Sequence, residues 1–162
     1  MGRKENLTSE DRAWIKRFNK LGGKTKTTAS GRALEKNLLS RGGWMASVDH
    51  QDPDLKNILA HGQLFIPGKS GVSVQAVLGK DHQCHWNASD LFKSGKADSV
   101  VTGYVLDGDR MIWRQHSWGM KGNRILETTE GNLGSAAYFG VRYSGKEAQA
   151  FARNIGPRPK IY

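Results

Sequence analysis

Apolar residues recur along this chain in two rhythms, helical in the first half and alternating in the second. In "LTSEDRAWIKRFNKLGG", Trp14, Ile15, Phe18 and Leu21 fall on one helical face. Thr8 and Asp11 have capping-box spacing there, and Gly22-Gly23 supply a stop. "KTKTTASG" reads as a polar, basic linker and "RALEKNLLSRGG" as a second short helix ended by glycines. "DPDLKNILAHG" predicts a third, with Asp52 as N-cap, Pro53 at the first helical position and Gly62 past the end. "QLFIPG" and "VSVQAVLG" predict short strands.

The stretch "DHQCHWNASDLFKSG" returns to the helical period. Cys84, Ala88, Leu91 and Phe92 share one face, Asp81 is placed to cap the start and Gly95 to end it. Strands follow in "SVVTGYVL", "MIWRQHSWG" and "RILETT", separated by the turn signals "DGDR" and "MKGN", with "AAYFGVRY" as a further strand. "RNIGPRPKIY" reads as a basic, extended tail. The expected fold class is α+β, with helices first and an antiparallel sheet after them. The expected organisation is a basic helical segment 1–41, an α+β core 42–143 and a basic tail 144–162, in one globular domain.

Charge changes the picture at the ends. Residues 1–41 hold eleven Lys/Arg against four Asp/Glu, and residues 144–162 hold four against one. The middle, with ten of each, is neutral, so the net +10 sits on the flanks. Basic flanks are either solubilising or meet something acidic, including nucleic acid. "MGRKENLTSEDR" lacks an apolar h-region and no apolar run reaches membrane-spanning length, so no membrane association is expected. A single cysteine cannot form an internal disulfide, which makes a cytoplasmic location the expectation.

With Asp81 as the cap, that cysteine, Cys84, lies in the first turn of the helix, where backbone N–H groups and the helix dipole favour a thiolate. His116 shares a strand face with Ile112, Arg114 and Trp118. Gly122-Asn123 suits a type II′ hairpin, and that register pairs Trp118 with Glu127 and His116 with Thr129. His116 and Glu127 are then diagonal neighbours on one face, roughly 7–8 Å apart between backbones. A nucleophile, a base and a carboxylate so arranged make a usable Cys84-His116-Glu127 triad. Packing of Cys84 in the core is the plain alternative. A metal site from His82, Cys84, His85 and His116 is another, but its spacing matches no standard zinc pattern, and no metal or cofactor is expected. Of Trp113 and Trp118, on opposite strand faces, one is expected in the core and the other in a cleft. Trp118, Asn87 and His85 are the substrate-binding candidates. Tyr104, Tyr138 and Phe139 read as core, Thr128 and Thr129 as strand residues, and His50 and His61 have no evident partner.

The order Cys84, His116, Glu127 resembles the papain-like superfamily, especially its NlpC/P60-like and transglutaminase-like branches. There a cysteine opens the central helix and the sheet delivers His and then an acidic or amide residue. More locally, "CHWNAS", "VTGYVL", "RQHSWG", "ETT" and "AYFGV" are similar to small, largely uncharacterised bacterial and phage proteins, over about residues 80–141. His85 intervenes before Trp86, where the papain family places its aromatic directly after the cysteine. The third member is Glu rather than Asn or Asp, and no motif fixes the oxyanion donor. Gln75, with the Cys84 backbone N–H, is the oxyanion candidate. The resemblance implies a thiol hydrolase or acyltransferase acting on an amide, isopeptide or thioester bond, its substrate a peptide or other amide-containing molecule, an acidic one where the basic flanks engage it. The competing readings are a non-enzymatic nucleic-acid-binding protein gripping phosphates with its basic ends, and a catalytically dead papain-like binding scaffold. Residues 157–162 are expected to take no part in the site.

Overall fold

The computed structural model describes residues 27–160, so the helix expected around Trp14 lies outside the described residues. Among the described residues, four α-helices accompany a curled, mixed seven-stranded sheet, making the fold α+β. The elements are α1 (Ala29–Ser40), β1 (Met45–Ser47), α2 (Leu55–His61), β2 (Gln63–Phe65), β3 (Ser73–Ala76) and α3 (Cys84–Lys93). They continue as β4 (Ser99–Leu106), β5 (Ile112–Lys121), β6 (Arg124–Glu127), β7 (Ala137–Ser144) and α4 (Gly145–Asn154), with a 3-10 turn at Glu130–Asn132 before β7.

The sheet runs β2-β7-β4-β5-β6-β3, and β1 pairs with β5 off this path. β4, β5, β6 and β7 form the expected antiparallel part, whereas β1 on β5 and β3 on β6 are parallel. Helices are interleaved with strands, and α4 follows the last strand. The strict order of helices before an antiparallel sheet is therefore corrected.

Every residue of β4 is buried, because both of its faces are covered. Val100, Tyr104 and Leu106 face a core shared with Leu34 and Leu38 of α1, Ile58 of α2 and Phe151 of α4. Val101 and Val105 face a second core, with Trp118, Met120, Ile125 and Tyr138, inside the curl. Period-two alternation thus divides one strand between two cores. Gly103 lies opposite His116 on one side and Gly140 on the other. A Cβ there would stand 2.1 Å from the Phe139 carbonyl oxygen, so only glycine fits this bend.

Local signals differ from expectation at four starts. Thr28 caps α1 through a bond from the Gly31 N–H, so the helix starts at Ala29, three residues before the anticipated start, and His50 Nδ1 accepts from the Thr28 N–H. His50 thus has a partner. Asp54, not Asp52, is the N-cap of α2, while Asp52 holds the Asp54 N–H at 2.9 Å; Gly62 ends the helix as expected. Asp81 does not cap α3. Gln83 occupies the N-cap without a side-chain cap bond, following His82 at φ 59°. Finally, α4 occupies 145–154 of the basic tail 144–162, buries Ala148 and Phe151, and makes that part of the tail belong to the fold, while residues 155–160 of "RNIGPRPKIY" lie outside any helix or strand.

Among the described residues, no helix is long and apolar enough to cross a membrane.

Candidate active site

The edge of β5 changes partners along its length. β1 covers residues 112–114 and β6 covers 119–121, leaving Gln115 to Trp118 paired with β4 alone. The first turn of α3 abuts this opening. There Cys84, half-buried, meets the His116 side chain and the Ser117 backbone N–H. The β5–β6 register is the one a two-residue turn demands: Lys121 opposite Arg124, Met120 opposite Ile125, Gly119 opposite Leu126. Gly122 at φ 57° satisfies the first central position of type II′. His116 and Glu127 consequently share a face, and His116 Nε2 donates to Glu127 Oε2 at 2.7 Å. This leaves Nδ1 for the sulfur side. Cys84, His116 and Glu127 come together in the chain order read from the sequence.

Electrostatics favour one charge state. Burial raises the Cys84 pKa, but the hydrogen bond and charge of His116 and the Ser117 N–H outweigh it, and the net shift is below the ordinary thiol value. Burial would lower His116; hydrogen bonds to Cys84 and Glu127 and their charges overcome this and push it up to about 9. Both shifts point to a thiolate beside an imidazolium.

Glu127 is fully buried and satisfied by three donors. Its Oε2 also accepts the Thr129 N–H at 3.1 Å, and Oε1 accepts Tyr138 O–H at 2.8 Å. Burial and the adjacent Glu127 carboxylate push the Tyr138 phenol far up, so it remains a donor. Tyr138, read as plain core, bonds the Glu127 carboxylate, a contact that strand periodicity does not reveal. Trp118 is fully buried, stacked on His116 with centroids 5.9 Å apart and edge-on to Tyr138 at 5.0 Å. It holds the imidazole rather than lining a cleft. Trp113 is buried too, its Nε1 donating to Gly42 O, so neither indole meets solvent.

A cavity of about 500 Å³ opens onto Cys84 and His116, walled also by Asp81, Arg114, Gln115 and Asn132. A second, of about 390 Å³, lies across Gln115 against Asp49, Asp52, Asp54, Trp86 and Phe151. His85 belongs to the second cavity, with Nδ1 2.6 Å from Ser117 Oγ. Burial first, then the His116 charge, holds its pKa below the ordinary imidazole value. His85 is thus turned away from the Cys84 cavity.

Asn87 is buried and its carboxamide is occupied, donating to Lys80 O at 2.8 Å and accepting from Arg158 at 3.1 Å. It braces the helix start instead of facing substrate. Gln75 is exposed, bonded to Arg124 at 3.3 Å, and outside the Cys84 cavity. Parallel pairing with β6 sets it opposite Leu126, outside the lining of the Cys84 cavity. The oxyanion expectation for Gln75 is therefore not met. Among the described residues, no group of three His, Cys, Asp or Glu side chains is arranged to hold a metal ion.

The chain after α4 turns back over α3. Trp86 Nε1 donates to Gly156 O at 3.1 Å, and the Arg158 guanidinium donates to Gln83, Asn87 and Asp90. Arg158 and Pro159 therefore touch Gln83, the residue before Cys84, against the expectation for this tail. Gln83 is almost wholly buried. Arg158→Ala would leave its carbonyl oxygen unpaired, at an expected cost of about 1–3 kcal/mol. The exposed Asp90 pair adds little. Urea unfolding checks this: a loss within error of zero means the tail merely rests on the surface.

No family model, curated protein or solved structure matches the chain, so its function is to be read from this geometry.

Proposed function

We propose that the protein is a cysteine-dependent hydrolase or acyltransferase of papain-like kind, acting on an amide, isopeptide or thioester bond. The observation that carries this reading is the Cys84-His116-Glu127 relay set in the wall of an open cavity. A buried histidine bonded to a fully buried carboxylate is expensive to maintain for packing alone. Its position beside a thiol of lowered pKa matches the requirements of nucleophilic catalysis.

In this mechanism Cys84 Sγ attacks the carbonyl carbon, and the carbonyl π electrons move onto oxygen. The Cys84 backbone N–H, unpaired within the first turn of α3, is available to that oxyanion. Collapse of the adduct breaks the bond to the leaving group, which takes the proton from His116. The thioester so formed is attacked by water or an amine, with His116 accepting the proton, and Sγ is released. Glu127 keeps Nε2 protonated and supports the imidazolium throughout.

The nucleic-acid alternative needs exposed aromatic faces, and the burial of Trp113 and Trp118 weighs against it. p-Nitrophenyl acetate tests the enzymatic reading directly. A burst of p-nitrophenol with the acetyl group on Cys84, absent in Cys84→Ala, is expected. Acetylation elsewhere, or a burst that survives the substitution, sinks it.

A further inference from the structure

Among the polar side chains that wall the cavity beside Cys84, Arg114 and Gln115 are engaged. Arg114 donates to Asp107 at 3.0 Å, and Gln115 Nε2 donates to Asp52 at 2.8 Å. Asn132 differs. Only 8% of it is exposed, and its backbone N–H and carbonyl are satisfied by Thr129, Ser135 and Tyr138. Its carboxamide has no hydrogen-bond partner among the described residues. Nor is it sealed off, as Ser89 Oγ, Trp118 Nε1 and Thr128 Oγ1 are. A carboxamide carries two donors and two acceptor sites, and leaving them unmet in a buried residue is costly. A cavity this size admits water to meet them in the free protein, and a ligand that displaces the water must replace its bonds.

We propose that Asn132 is a specificity-determining residue that reads an amide group at the reacting centre and selects amide substrates, peptide or isopeptide, over esters and thioesters. This rests on the thiol-enzyme reading and narrows its substrate class. The chemistry is complementary. Asn132 Oδ1 accepts the substrate N–H while Nδ2 donates to a substrate carbonyl. An ester or thioester offers the carbonyl but no N–H, so Oδ1 would lose its water without compensation. The sequence signal is weak, since Asn132 stands in "TTEGNLGS", which reads only as a turn.

Two alkylating reagents of nearly the same shape test the assignment without knowledge of the natural substrate. Iodoacetamide carries an amide beside its reacting carbon, and methyl iodoacetate carries an ester. Second-order rates at Cys84 are measured from pH 6 to 9 and divided by those for glutathione, which removes intrinsic reactivity. The wild-type protein is expected to favour the amide by about five- to tenfold, the worth of the one neutral hydrogen bond that the ester cannot make. Asn132→Ala and the near-isosteric Asn132→Leu should bring that preference close to unity without moving the pH midpoint. No amide preference in the wild type, a measurement that needs no variant to fold, overturns the assignment and leaves the triad standing. An unchanged preference in a folded variant does the same. If neither reagent reacts below the free-thiol range, the triad reading fails and the assignment falls with it.

Discussion

Replacing His116 by alanine is expected to lower turnover at least about a hundredfold, the usual worth of a positioned general base. It should also move the onset of Cys84 alkylation to higher pH. In the intact site burial opposes the thiolate, and His116 overcomes it by hydrogen bond and charge. With the imidazole gone, burial remains, and the Glu127 charge, which already acts against the thiolate, has lost its screen. Among the described residues, the Ser117 N–H and the start of α3 are the favourable influences left. The thiol should therefore titrate above its ordinary value rather than merely returning to it. Iodoacetamide rates between pH 5 and 10 report the midpoint, with His116→Gln controlling for the cavity that alanine leaves. Profiles superimposable on wild type in both variants would mean that His116 does not act on Cys84.

The parts of this site that were legible in the sequence depend on short-range geometry. Two residues, Gly122 and Asn123, set the hairpin register, and the register alone puts His116 and Glu127 on one face. Helix periodicity likewise put Cys84 at a helix start, although the cap is Gln83 and not Asp81. What was not legible depends on how the sheet curls. Alternation assigns Trp118 and Trp113 to opposite faces and correctly so, but it does not say that both faces are covered. Tyr138 lies on β7, with β4 and β5 between it and β6, and reaches Glu127 only because the sheet closes over itself. Gln75 fails for a related reason. Whether a short strand adds parallel or antiparallel at an edge is a long-range choice, and no local signal fixes it. The returning tail is the same kind of miss, since a basic, proline-containing end carries no mark that Arg158 will find Gln83.

Glu127→Gln is expected to be the most damaging conservative change in the sheet, with a pH dependence that identifies its cause. The carboxylate meets three donors with two acceptor oxygens: Oε2 takes His116 and Thr129, and Oε1 takes Tyr138. Glutamine has one acceptor oxygen, and its NH₂ must face at least one of these donors. A buried unpaired donor costs about 1–3 kcal/mol at any pH. The lost charge adds to this only while His116 is protonated. His116 is raised to about 9 in the folded protein against about 6.5 when free. Because its pKa is raised on folding, the stabilisation is fully present below about pH 6.5 and is lost as pH rises through about 9. Breaking one side of a buried pair typically costs about 3–5 kcal/mol. Urea unfolding of both proteins should therefore show a gap of about that size at pH 6.5, shrinking above pH 9 toward the donor penalty alone. A gap constant across that range would assign the whole effect to the unpaired donor and remove Glu127 as the partner of an imidazolium.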